Sequence, residues 1–116
     1  MPGPFSSSAE VRFIDREQVL SDLRRAVSDA KSRHPEIWKV FLFGSFVQGN
    51  WTADSDADLI VVVRREFPNI LDRSPYQIHL KSVPTDSLVY SETEFERLAR
   101  DPASFVGQNL PSAVEL

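Results

Sequence analysis

Residues 44–63 read GSFVQGNWTADSDADLIVVV. An apolar run ends at the Gly44-Ser45 pair, and a second begins at Leu59, with Asp56 and Asp58 one residue apart at its mouth. The β-branched stretch over residues 59–63 predicts a buried strand. On a strand, residues two apart share a face with their Cβ atoms roughly 7 Å apart, so Asp56 and Asp58 can address one site together. Two carboxylates on one half-buried face repel each other, and desolvation raises the cost of keeping both charged. The pattern calls for a positive partner.

The residues before the aspartates supply a second half-site. The run IWKVFLF over residues 37–43 predicts another buried strand, stopped by Gly44. A glycine at a strand end lets a phosphate approach the backbone, and a short helix over 45–51 would present free N–H groups to an anion. For the Gly44-Ser45 turn to meet the aspartates, the end of the first strand must lie beside the beginning of the second. The two strands must therefore run antiparallel. Residues 52–55 are turn-like.

Outward from this centre, Val19, Leu20, Leu23, Ala26, Val27 and Ala30 recur at helical spacing. They predict a helix opened by an Asp15/Gln18 capping box and ending near His34-Pro35. Pro68 and Pro75 interrupt residues 67–82, giving a broken helix. TDSLVY over 85–90 suits a third strand, and ETEFERLAR over 92–100 a helix capped by Ser91, with a further short helix in the remaining tail. The expected class is α/β (α+β), a small mixed sheet flanked by helices. Residues 1–10, rich in Pro, Gly and Ser, read as a flexible tail, and 11–116 as a single domain.

Composition narrows the function. The 116 residues are 41% hydrophobic and 26% charged, with no apolar run near the ~20 residues of a membrane span. Thirteen basic against seventeen acidic residues give a net charge of -4, a poor match for an extended phosphate backbone. A polymeric nucleic acid is disfavoured, whereas a small anion carrying its own metal ions is not. The absence of cysteine and of a basic-then-apolar leader points to a cytoplasmic location. The sequon at Asn50–Thr52 would be inert there.

Other readings of the motif fit less well. Asp54, Asp56 and Asp58 match the first three ligands of a calcium-binding EF-hand loop, but Leu59 stands where its glycine is required and Arg65 where its closing glutamate belongs. GSFVQGNW lacks the Lys-Ser/Thr of a P-loop. An isolated D-x-D is most often a solvated turn, a reading that leaves the Gly44-Ser45 pair a coincidence. His34 and His79 have no partners at triad or ligand spacing. Trp38, Phe41 and Phe43 read as core, Trp51 as packing near the site entrance, and Arg64 and Arg65 as solvated charges closing a strand.

Gly44-Ser45, then Gly49, then Ser55-Asp56-Ala57-Asp58-Leu59 resembles the signature of the minimal nucleotidyltransferases of the DNA polymerase β-like superfamily: a Gly-Ser pair, about ten residues, then Asp-x-Asp in hydrophobic surroundings. Asp86, in TDSLVYSETEFERL, resembles the third carboxylate of that family, with Thr85 and Ser87 in place of the usual hydrophobic neighbours. The resemblance spans residues 37–100. It implies transfer of a nucleoside monophosphate, AMP from ATP, to a hydroxyl acceptor. Asp56, Asp58 and Asp86 would be catalytic and would hold two magnesium ions, or manganese, about 4 Å apart. Gly44 and Ser45 would hold the β and γ phosphates.

The same resemblance implies a partner. Small members of the family are often paired with a helical HEPN protein, in some cases as a toxin and antitoxin in which the nucleotidyltransferase modifies the toxin. The acceptor would then sit on a protein. The alternative is a catalytically silent module of the same fold, acting as an antitoxin or scaffold by contact. An aminoglycoside-modifying enzyme would need more chain to build a drug pocket. Pairing of the chain with a second copy of itself is left open.

Overall fold

A single apolar stripe makes the first helix. Val19, Leu23, Val27 and Ala30, three and four residues apart, are buried along α1 (Arg16–Arg33), the spacing that keeps one helical face on a core. Burying each of the larger aliphatic side chains contributes about 1.5–3 kcal/mol. The helix stops before His34 and Pro35, as the proline dictates. The computed structural model describes residues 16–44, 47 and 57–116. The Asp15 cap, the tail at 1–10, the short helix over 45–51 except Val47, Trp51 and the turn at 52–55 lie outside the described residues. No helix among the described residues is long and apolar enough to cross a membrane.

Four strands form one mixed sheet: β1 (Ile37–Phe43), β2 (Ala57–Val63), β3 (Thr85–Ser91) and β4 (Val114–Glu115), in the order β3-β2-β1-β4. β1 runs antiparallel to β2, as the half-site argument required, while β2 and β3 run parallel. β4 pairs antiparallel with the other side of β1. The expected small mixed sheet with flanking helices is thus the observed architecture.

The sheet is covered on both faces, which explains why LIVVV shows no alternation of apolar and polar residues. Ala57, Leu59, Val61 and Val63 point into one core with Val40, Leu42 and the α1 stripe. Ile60 and Val62 point the other way, into a second core with Phe43, Phe95 and Val106. The lid of that second core is α2 (Glu92–Ala99) and α3 (Phe105–Asn109). Ser91 caps α2 in a full capping box with Glu94, satisfying two otherwise orphaned backbone donors.

Between β2 and β3 the broken helix reduces to one 3₁₀ segment, Ile70–Tyr76, capped by the Asn69 side chain and containing Pro75. The chain from Gln77 to Pro84 has no helix at all. At the C-terminal ends of β2 and β3 this connection is locked by charge. The Arg73 guanidinium grips Glu94 through two parallel bonds of 2.9 and 2.8 Å and donates to the Val89 carbonyl at 2.7 Å. Arg73 accordingly holds the Glu94 carboxyl down at about 2, because a bidentate cation favours the charged form. Nearby, the buried Tyr76 hydroxyl donates to Glu36 and accepts from Arg65 at 3.1 Å.

Candidate active site

The opposite end of the sheet is where β1 finishes and β2 and β3 begin. Two cross-strand registers meet there: Phe43 faces Asp58, and Asp58 faces Asp86. Residues directly opposed on neighbouring strands project from the same face with Cβ atoms about 5 Å apart. The structure therefore brings two of the predicted carboxylates side by side, Asp58 half-buried and Asp86 exposed. Both lie on the face covered by α2 and α3, in line with Ile60 and Val62 on β2 and with Leu88 and Tyr90 on β3.

The polar neighbours of Asp86 hold its strand in place. Thr85 Oγ1 donates to the Ile78 carbonyl at 2.6 Å, and Ser87 Oγ accepts the Ile78 N–H at 3.1 Å. Residues 85 and 87 alternate with Asp86, so they project from the other face and bind the chain that leads into β3. The Ala57 N–H donates to the Pro84 carbonyl at 2.8 Å, extending the β2–β3 pairing just past the carboxylates. The departure of Thr85 and Ser87 from hydrophobic type thus has a local structural reason and leaves the register of Asp86 with Asp58 intact.

Gly44 completes the described part of the mouth. Its φ is +87°, a left-handed conformation that side chains other than hydrogen resist. A Cβ there would stand 2.8 Å from Asp58 Oδ2. The glycine is needed twice over, for the turn and for the space the carboxylate takes. The Val47 N–H donates to the Gly44 carbonyl at 3.1 Å, just beyond the end of β1. The other two predicted site residues, Ser45 and Asp56, lie outside the described residues. Among the described residues no three His, Cys, Asp or Glu side chains gather as a metal cluster; Asp58 and Asp86 are the two carboxylates brought together at the mouth.

The remaining sequence-level candidates sit elsewhere. Arg64 and Arg65 follow the far end of β2, seven residues from the carboxylate end. Arg64 pairs loosely with Glu92 at 3.7 Å and lies over the Trp38 ring, and Arg65 reaches Asp72 at 3.7 Å. His34 packs on Tyr76 at the end of α1, and His79 is exposed. Phe43 is buried as expected, whereas Trp38 and Phe41 are only partly so. Sequence reasoning missed Phe105, which packs edge-on against Phe43 with ring centroids 5.1 Å apart. Its signal was faint: one aromatic in a tail where only a short helix was expected.

At the mouth of the sheet a strand-end glycine is thus turned against one aspartate, with a second aspartate in register on the next strand. A family model described as "Nucleotidyltransferase domain" matches residues 23–107. The chain belongs to that family and is a nucleotidyltransferase, with a nucleotide as substrate. It is similar to a Methanocaldococcus jannaschii protein named "Putative protein adenylyltransferase", 29% identical over 76 residues that cover 65% of this chain and 76% of the relative. It also resembles a crystal structure titled as that of a "putative nucleotidyltransferase" from Sulfolobus solfataricus. That match has a TM-score of 0.57 at 25% identity and covers 71% of this chain and 75% of the other.

Proposed function

We propose that this chain moves AMP from ATP onto a hydroxyl group of a partner protein, using Asp56, Asp58 and Asp86 as metal-holding carboxylates and Gly44 with Ser45 as the phosphate turn. The observation that carries the reading is the cross-strand register of Asp58 and Asp86 beside a positive-φ Gly44. The donor chemistry fits magnesium, a hard cation that takes carboxylate oxygens together with the substrate's own phosphates. By its sequence spacing, Asp56 adds a third carboxylate one strand period before Asp58. When bound, magnesium would offset the charge of the triphosphate and lower the pKa of the acceptor hydroxyl.

The protein groups then have distinct tasks. Gly44 opens the backbone to the β and γ phosphates, fixing the triphosphate so that its α-phosphorus lies over the carboxylates. Asp58, between the phosphate turn and Asp86, serves both sides of the site. Asp86, on the edge strand and exposed, faces the acceptor and takes or relays its proton. The acceptor oxygen forms a bond to the α-phosphorus, the bond to the bridging oxygen breaks, and pyrophosphate leaves. A protein acceptor is supported by the name of the archaeal relative, and a helical HEPN-type partner in a toxin-antitoxin pair is the acceptor we favour.

The test is the fate of labelled phosphate. With ATP labelled at the α position, label should appear on the co-purified partner protein, while γ-labelled ATP should leave none. Labelling of the partner from the γ position would identify phosphoryl transfer instead and overturn the proposal.

A further inference from the structure

Three large apolar side chains are strongly exposed among the described residues: Ile70 at 77%, Leu71 at 73% and Phe105 at 48%. Ile70 and Leu71 belong to the 3₁₀ segment outside the edge of β3. Phe105 is different, because it lies at the sheet mouth. Its ring rests edge-on against Phe43, and Phe43 is the register partner of Asp58. Phe43 and Asp58 project from the same face of the sheet. One ring therefore separates Phe105 from the carboxylate site.

Phe105 is also held firmly. The next residue, Val106, is fully buried in the second core. Ser104 Oγ accepts the Gly107 N–H at 2.9 Å and donates to the Leu98 carbonyl at 2.6 Å, tying the start of α3 to the end of α2. A Cβ on Gly107 would fall 2.0 Å from the Asp101 carbonyl oxygen, so the segment is packed backbone to backbone. A half-exposed aromatic on a rigid support suits recognition, since little side-chain entropy is lost when a flat ligand covers it.

Its side of the site is informative. Across the sheet, Asp86 lies on β3, Asp58 on β2, and Phe43 with Gly44 on or beside β1. Phe105 stands on the phosphate-turn side, away from Asp86 and the acceptor. We propose that Phe105 is a positioning residue for the nucleoside of the incoming triphosphate, offering its exposed ring as a stacking surface for the base. The assignment rests on the phosphate-turn reading of Gly44. Stacking is tolerant of base identity because every base has a π-face, so Phe105 would raise nucleoside triphosphate affinity without strongly selecting adenine.

The experiment compares magnesium-ATP with magnesium-tripolyphosphate, which lacks sugar and base, by calorimetry on the full chain. For Phe105→Leu, which keeps an apolar contact to Phe43 but has no ring, ATP affinity should fall about tenfold while tripolyphosphate affinity stays at the parent value. Phe105→Tyr should restore ATP affinity. Unchanged ATP affinity in a folded Phe105→Leu protein, or an equal loss for both ligands, would overturn the inference. Failure of the parent to bind tripolyphosphate would instead overturn the phosphate-turn reading on which it rests.

Discussion

Asp86→Asn should lower nucleotide transfer at least about 100-fold while leaving most of the ATP affinity in place. The substitution keeps size and shape, and Asp86 is exposed at the start of an edge strand whose anchoring comes from Thr85, Ser87 and Pro84. The fold should therefore be unaffected. On the proposed mechanism the substitution removes a negative oxygen from the acceptor side of Asp58, and with it a group to hold metal and accept a proton. The triphosphate contacts proposed for the Gly44 side would be separated from it by the width of β2. The check is transfer of α-labelled nucleotide to the partner, measured beside calorimetric ATP binding for parent and variant. Equal transfer by both proteins would remove Asp86 from the reaction.

Gly44→Ala should damage both stability and transfer, through two separable causes. At a φ of +87° any side chain strains the backbone by about 1–2 kcal/mol, which for a domain of this size lowers the melting temperature by about 5 °C or more. The added methyl would also stand 2.8 Å from Asp58 Oδ2 and force that carboxylate to turn away. Misplacement of a reacting group by about 1 Å can cost on the order of 100-fold in rate, and that is the loss expected in transfer. The causes separate in an Asp58→Asn background, where Gly44→Ala should still lower the melting temperature but remove little further activity. A Gly44→Ala protein with parental transfer would show that the close approach to Asp58 has no role in the reaction.

Much of this arrangement was legible because the decisive signals are local. The β-branched run at the heart of β2, the glycine ending β1, and the Ser91 cap of α2 each depend on a few neighbouring residues. Antiparallel pairing of β1 with β2 followed from requiring Gly44 and the aspartates to meet. β4 was not legible, because its two residues carry no period and exist as a strand only through pairing with Phe41 and Leu42. The connection over residues 67–84 also escaped: Pro68 and Pro75 announced a break, but the 3₁₀ turn and its Arg73–Glu94 lock depend on partners 21 residues apart.

Within the site, the family resemblance pointed to Asp86 without fixing its register, which is set by hydrogen bonds from Ala57 to Pro84 and from Thr85 to Ile78. Those are tertiary contacts with no sequence period. Gly44 was legible as a turn, but its contact with Asp58 required the two strand ends to be placed together. Phe105 was hidden for a similar reason: its proximity to Asp58 passes through Phe43, 62 positions earlier in the chain.

The most direct test of the central claim, that the mouth of this sheet is a metal and nucleotide site, is the anomalous signal from crystals of the full chain grown with manganese and a non-hydrolysable ATP analogue. The account predicts a manganese peak bonded to carboxylate oxygens of both Asp58 and Asp86, with the analogue's phosphates reaching the backbone at Gly44. A well-ordered nucleotide bound elsewhere, with no manganese on either aspartate, would contradict it.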